Sequence, residues 1–171
     1  MNRETEEQFR EFVAVSYQRL LRAAYLMTGN VADAEDLVQT ALARTALAWK
    51  RLRESEHLDR YVHKIVVNEF ISSRRRLWRK RESAVGQVPD RVGPDSFAPV
   101  DERERLRVAL AGLPPPQRAA VVMRHYADLS EAQAAELLGC SVGTIKSLTS
   151  RGLAGLRKTL AESALERGRT R

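Results

Sequence analysis

The sequence has one cysteine, Cys140, only three histidines and no long apolar run. A single thiol excludes an internal disulfide and suggests a reducing compartment. His57, His63 and His125 do not form a zinc-site spacing with that thiol, so we expect no metal or other cofactor. No stretch approaches the roughly 20 apolar residues of a membrane span, and the charged amino terminus has no apolar signal core. We therefore predict a soluble, cytoplasmic protein that does not insert into a membrane.

Motifs for catalysis are also missing. The sequence has no glycine-rich phosphate loop and no arrangement of Ser, His and Asp suited to hydrolysis. The acidic residues Asp33, Glu35 and Asp36 could suggest acid-base catalysis, but they fall in the first turn of a predicted helix, where carboxylates favourably meet the positive end of the dipole. Asp36 and Gln39 lie three positions apart and could face a protein partner together. We predict that the protein is not an enzyme.

The charge is strongly basic and unevenly distributed. The chain has 29 Lys and Arg against 22 Asp and Glu, a net charge of +7, and a pI near 10.1. Residues 60–81 contain eight basic residues and one acidic residue. A basic chain of this kind favours a polyanionic partner such as nucleic acid.

Apolar residues recur at steps of three and four, which is typical of amphipathic helices. This pattern predicts helices over 4–27, 31–49 and 59–81, and further helices after residue 101. Residues 82–100 between them contain three of the six prolines and show little periodicity, so they are predicted to be a flexible linker. Fully extended, this linker would span roughly 60 Å. We predict an all-α chain with two small helical domains, 1–81 and 101–171.

The second domain contains a predicted helix-turn-helix at 130–160. Ser130 and Gln133 form a capping-box pattern, Gly139 ends the first helix, and Ser141 can cap the second. The second helix carries short polar and cationic residues suited to phosphates and base edges, namely Thr144, Lys146, Ser147, Thr149, Ser150 and Arg151. A plain helical hairpin with a polar outer face is the alternative.

The predicted helix over 59–81 is a second candidate nucleic-acid surface. Its polar residues include Arg60, Lys64 and Asn68, and further basic residues follow from 74 to 81 with Leu77 and Trp78 among them. Phosphates would pair with the cations, and an unstacked base could meet an amide or an aromatic ring, which favours melted or single-stranded nucleic acid. A solvated helix end is the alternative for the cations, and core packing is the favoured role of the aromatics.

Four stretches together resemble one protein family, the bacterial RNA polymerase sigma factors of the extracytoplasmic-function group. They are LLRAAYLMTGNVADAEDLVQTAL (20–42), YVHKIVVNEFISSRRR (61–76), LAGLPPPQRAAVVMRHYADLSEAQAAELLGCS (110–141) and VGTIKSLTSRGLAGLRKTL (142–160). The resemblance implies a transcription initiation factor without enzymatic activity of its own. It also implies core RNA polymerase and promoter DNA as partners, and an anti-sigma factor as a candidate partner. The domains would be sigma domain 2 (1–81) and sigma domain 4 (101–171), joined by the linker at 82–100.

The resemblance also implies roles for single residues. Asp36 and Gln39 would bind the polymerase, and loop residues about 53–58 would capture a flipped base. The residues implied to melt and read the minus-ten element are Arg60, Lys64, Asn68, Arg74, Arg75 and Arg76. Those implied to read the minus-thirty-five element are Lys146, Ser147, Ser150 and Arg151, with Thr144 near its phosphates. The alternative function is a helix-turn-helix transcriptional regulator that binds duplex DNA without polymerase.

Overall fold

The described part of the chain consists of helices joined by short turns. The computed structural model describes residues 2–83 and 102–169. The helices in these ranges are α1 (Arg3–Thr28), α2 (Val31–Leu47), α3 (Trp49–Leu52), α4 (Leu58–Ser83), α5 (Glu102–Ala111), α6 (Pro115–His125), α7 (Glu131–Leu138) and α8 (Val142–Arg169). Neither range contains a β-strand, which confirms the predicted all-α class. The predicted linker over 82–100 lies outside the described residues, except for its first two positions at the end of α4.

A tight turn connects α1 to α2. Gly29 adopts a left-handed conformation with φ of 80°, and its N–H donates to the carbonyl of Tyr25 at 2.8 Å. The next residue, Asn30, caps α2, because its side chain accepts from the N–H of Asp33 at 2.8 Å. The chain therefore reverses in two residues, as the predicted helix break at this point requires.

The second helix ends earlier than predicted, and a short helix follows it. The pattern predicts a helix over 31–49, but α2 ends at Leu47, where Ala48 donates to the carbonyl of Thr45 in a tightened last turn. Trp49 then starts α3 and is buried against the rings of Phe9 and Phe12, with centroid distances of 5.0 and 5.5 Å. This aromatic cluster fixes the direction in which the chain leaves α2.

The helix-turn-helix prediction is confirmed. Ser130 and Gln133 make both bonds of the capping box, at 3.1 and 2.9 Å, and Gly139 ends α7 with φ of 66°. Ser141 caps α8 by accepting from the N–H of Thr144 at 3.1 Å. Helix α8 continues to Arg169.

The two halves of the chain pack against each other. Helix α4 packs on α7, and α1 packs on α5 and α6. One cluster contains buried apolar residues of both halves, among them Met27 and Phe70 in the first and Met123 and Ile145 in the second. The sequence predicts two domains on a long linker, whereas the structure places them in direct contact.

Candidate nucleic-acid interface

The first turns of α8 present an exposed polar face. The predicted residues Thr144, Lys146, Ser147, Ser150 and Arg151 are all exposed, whereas Ile145 between them is completely buried. Since residues three and four positions apart lie on one side of a helix, these five side chains form a continuous surface. We call this surface the recognition face. It has the shape and the donor groups that a DNA major groove accommodates.

Close packing on α6 holds the recognition face in place. Gly152 is buried, and a Cβ atom on it would lie 2.6 Å from Cγ2 of Val121 and 3.3 Å from the carbonyl oxygen of Gln117. Helix α8 therefore approaches the backbone of α6 more closely than a side chain at this position would allow. The orientation of the recognition face depends on this contact.

Cys140, in the turn of the helix-turn-helix, is not a reactive thiol. Burial raises the pKa of the Cys140 thiol, which therefore stays protonated at neutral pH.

On the recognition face, Nζ of Lys146 lies 3.7 Å from a carboxylate oxygen of Glu131, at the start of α7. An exposed ion pair of this kind contributes little to stability. Lys146 can therefore leave Glu131 and bind a DNA phosphate at a small cost in free energy.

A second polar face runs along α4. Lys64, Asn68 and Arg75 are exposed, and with the half-buried Arg60 they follow at intervals that place them on one side of the helix. We call these four residues the α4 face. Arg76, another predicted minus-ten residue, is exposed but lies about a quarter turn further round. Arg60 pairs across the chain with Glu136 on α7, at 3.5 Å.

The structure separates Arg74 from the other predicted minus-ten residues. Its Nη2 donates to the carbonyl of Thr28 at the end of α1, at 2.8 Å, and its guanidinium lies 5.6 Å from the centre of the Phe70 ring. This side chain is half-buried and caps a helix. Sequence patterns cannot distinguish it from its exposed neighbours, because its partner is distant in the chain.

Trp78 is exposed on α4 and is not a core residue. The sequence favours core packing for the aromatics of this segment, but Trp78 is 60% exposed. It lies 18 residues after Arg60, which is five full helical turns, and so it extends the α4 face toward the end of the helix. An exposed ring on a basic helix is a platform on which an unstacked base can lie.

The predicted polymerase-binding residues, Asp36 and Gln39, are both exposed on α2. Asp36 lines a groove of about 700 Å³ between α2 and the second half of α4. Acidic residues line the α2 side, and basic residues line the α4 side together with the acidic Glu69; the lining is Thr28, Asp33, Asp36, Leu37, Thr40, Glu69, Ser73, Arg74, Arg76, Leu77, Arg79 and Lys80. Asp36 and the basic end of α4 therefore lie on opposite sides of one groove.

A basic depression that the sequence did not predict lies beside α3. Lys50 and Arg51 of α3 are exposed beside Tyr61, and together with Arg44 and the 91% exposed Leu47 they line a depression of about 490 Å³. The signal in the sequence was weak, because α3 is too short to show periodicity. Cations around an aromatic ring suit single-stranded nucleic acid.

A buried histidine stabilises the first turns of α4. His63 is only 4% exposed, and its Nδ1 bonds to the carbonyl oxygen of Asp59 at 2.8 Å. Burial lowers the pKa of His63, so the ring is neutral at physiological pH. Its Nε2 has no hydrogen-bond partner among the described residues.

No group of metal-binding side chains occurs within residues 2–83 and 102–169. In the same part of the chain, no helix is long and apolar enough to cross a membrane.

Family models match both halves of the chain. Residues 12–80 match Sigma-70 region 2, and residues 103–156 match Sigma-70, region 4. The chain is 35% identical over 162 residues to the RNA polymerase sigma-E factor of Streptomyces coelicolor, covering 93% of this chain and 89% of that protein. It is 31% identical over 156 residues to the ECF RNA polymerase sigma factor EcfG of Rhodopseudomonas palustris, covering 90% of this chain and 86% of that protein.

Solved structures show the same fold. The sigma factor RpoE of Bartonella quintana, in complex with the anti-sigma factor NepR, superposes with a TM-score of 0.73 at 26% identity, covering 90% of this chain and 96% of that one. CnrH, in complex with the cytosolic domain of CnrY, superposes with a TM-score of 0.64 at 20% identity, covering 90% and 88%. Both similarities extend over the two halves of the chain.

Proposed function

This chain belongs to the extracytoplasmic-function (ECF) group of RNA polymerase sigma factors, and on that basis we propose that it binds core RNA polymerase and directs it to specific promoters. We assign residues 1–81 to sigma domain 2, 82–100 to the linker and 101–171 to sigma domain 4. The observation that carries the proposal is the presence of two separate exposed basic faces on one chain, together with the exposed Asp36 and Gln39 on α2.

The recognition face reads the minus-thirty-five element. Arg151 and Lys146 can donate hydrogen bonds to guanine edges or to phosphates, and the hydroxyl groups of the face can also bond to bases or phosphates. The amino-terminal end of α8 favours a phosphate nearby, because its backbone N–H groups and its dipole attract an anion. This face anchors the protein upstream on duplex DNA.

The α4 face, together with Arg74, Arg76 and Trp78, melts and reads the minus-ten element. The cations bind the backbone, Asn68 can bond to the edge of a base, and Trp78 offers a stacking surface once a base leaves the duplex. Arg74 donates from Nη2 to the carbonyl of Thr28, so it contributes through its remaining N–H donors or after leaving that carbonyl.

Asp36 and Gln39 bind the polymerase through the exposed side of α2. Because the polymerase does the chemistry, we assign no catalytic activity to this chain, and we place it in the cytoplasm with the enzyme it serves. The similar sigma factor solved with the anti-sigma factor NepR supports a regulator of that kind as a further partner.

Complex formation with core polymerase tests the proposal against a polymerase-independent regulator. We expect a one-to-one complex in size-exclusion chromatography, and weaker binding for Asp36→Ala. Glu11→Ala, which removes an exposed acid from α1, is the matched control and should bind as wild type. A free chain that dimerises on DNA and never joins the polymerase would favour the alternative.

Substitutions on α8 test the recognition face. Arg151→Ala and Lys146→Ala should weaken binding to the upstream element by about 1 to 3 kcal/mol where a base is read. Arg157→Ala removes an exposed cation from the same helix outside the face and should have little effect. Equal losses for all three variants would mean that α8 contributes only general charge.

A further inference from the structure

Two glycines of α8 are explained by the packing of the helix. A Cβ atom on Gly152 would lie 2.6 Å from Cγ2 of Val121, and one on Gly155 would lie 2.8 Å from Cδ2 of Leu113. Both distances are too short for a contact between carbon atoms, so a side chain at either position would push α8 away from its neighbours. The fold itself therefore favours glycine at these two positions.

Gly143, in the first turn of α8, has no such role in the fold. The nearest atom that a Cβ there would meet is Oγ of Ser141, at 3.8 Å, which is an ordinary van der Waals distance. The glycines with a left-handed φ among the described residues are Gly29 and Gly139, so Gly143 does not serve an unusual backbone conformation. Glycine also makes a helix less stable than alanine does. Within the part of the chain that the structure describes, nothing therefore favours glycine at position 143.

Gly143 extends the recognition face toward the start of α8. It is exposed, and it lies three positions before Lys146 and four before Ser147, so the three residues are neighbours on the helix surface. It also lies two positions before the completely buried Ile145, which is about 160° around the helix. The missing side chain would therefore point directly away from the core.

The dimensions of DNA make a side chain at this point costly. An α-helix with its side chains is about 10–12 Å across, and the major groove is about 12 Å wide and 8.5 Å deep. Because the fit is this close, a residue that points straight into the groove limits how near the helix axis can come to the base edges. The first residues of a recognition helix are the ones that contact those edges.

We propose that Gly143 is a positioning residue for the minus-thirty-five element. Its missing side chain lets the first turn of α8 enter the major groove deeply enough for Lys146 and Ser147 to reach the base edges. This inference rests on the proposed function. It predicts an unusual combination, in which alanine at position 143 makes the protein more stable and its recognition of the upstream element weaker.

Gly143→Ala and Gly143→Leu test this role, with Gly168→Ala and Gly168→Leu as matched controls. Gly168 also has open space around it, and it lies about seven turns further along the same helix. The full chain is bound to core polymerase. The probes are a promoter duplex selected from a random pool by the wild-type complex, and a copy of it with the minus-thirty-five element scrambled. The ratio of the two dissociation constants measures the preference for the upstream element.

We expect Gly143→Ala to reduce this preference by about tenfold or more, which is the size of effect that one overpacked methyl group produces. Gly143→Leu should abolish the preference. Affinity for the scrambled duplex and for core polymerase should stay at the wild-type level in both variants. The urea midpoint of Gly143→Ala should lie above that of the wild type, and both Gly168 variants should keep the full preference.

Three results would overturn the inference and leave the proposed function intact. The first is a wild-type preference in both Gly143 variants. The second is an equal loss of affinity for the intact and the scrambled duplex, because the substitution would then disturb the protein and not its fit to the groove. The third is a lower urea midpoint for Gly143→Ala, because the fold itself would then need the glycine. A wild-type chain that does not bind core polymerase, or does not distinguish the two duplexes, would instead contradict the proposed function.

Discussion

Replacing Gly152 with alanine should destabilise the protein, because this glycine sets the distance between α6 and α8. The added Cβ would meet Val121 at 2.6 Å, which is too close for any real carbon contact, and the backbone carbonyl of Gln117 at 3.3 Å. Overpacking of this kind costs about 1 to 3 kcal/mol, against which alanine gains up to about 1 kcal/mol of helix propensity. We therefore expect a net loss of up to about 2 kcal/mol, and a displaced recognition face.

Gly143 provides the matched control in the same helix. A Cβ there would meet only the Ser141 hydroxyl oxygen, at 3.8 Å, so Gly143→Ala should raise the free energy of unfolding by about 0.5 to 1 kcal/mol. Urea denaturation followed by circular dichroism measures both variants, and binding to an upstream-element duplex reports the recognition face. Equal stabilisation by the two alanines would refute the close approach of α6 and α8.

Three further predictions concern buried and exposed side chains. Arg118 is buried, and its guanidinium donates to the carbonyls of Met27, Ala111 and Leu113. Arg118→Met should lower the free energy of unfolding by about 3 kcal/mol or more, because these carbonyls lose a charged donor, and wild-type stability in urea would contradict this. Since the folded pKa of His63 is depressed, the unfolded chain binds more protons, and the stability present above the unfolded pKa of about 6.5 should fall as the pH drops below it. His63→Gln should flatten this slope between pH 7 and 5.5, and a slope equal to that of the wild type would contradict a buried neutral ring at this position. Trp78→Ala should weaken open-complex formation by about 1 to 3 kcal/mol while Trp78→Phe retains it, and equal behaviour of the two would exclude stacking.

Local patterns in the sequence predicted most of the helices. Ser130 and Gln133 mark the start of α7 within four residues, and Gly139 alone marks its end. Both ends of the helix can therefore be predicted without knowing which distant parts of the chain it contacts. The exposed face of α8 can be predicted in the same way from the helical period, because the apolar Ile145 indicates which side of the helix is buried and its polar neighbours then lie on the other side. The predicted domain bounds and the roles of single residues stay predictions.

Long-range packing was not visible in the sequence. Arg74, Arg107 and Arg118 have the same side chain as many exposed arginines in this chain, and their acceptors are backbone carbonyls that have no sequence signature. Val67 lies about 100° around α4 from Val66, yet both residues are completely buried. Such features depend on which helices meet, so they become apparent only from the folded chain.

Run-off transcription tests the central claim most directly. Core polymerase is given promoter templates with both elements intact, with the minus-ten element scrambled, or with the minus-thirty-five element scrambled. We predict specific initiation only when this chain is added, a strong loss when either element is scrambled, and a further loss for Arg151→Ala on the intact template. Initiation no greater than that of core polymerase alone on every template would contradict the account.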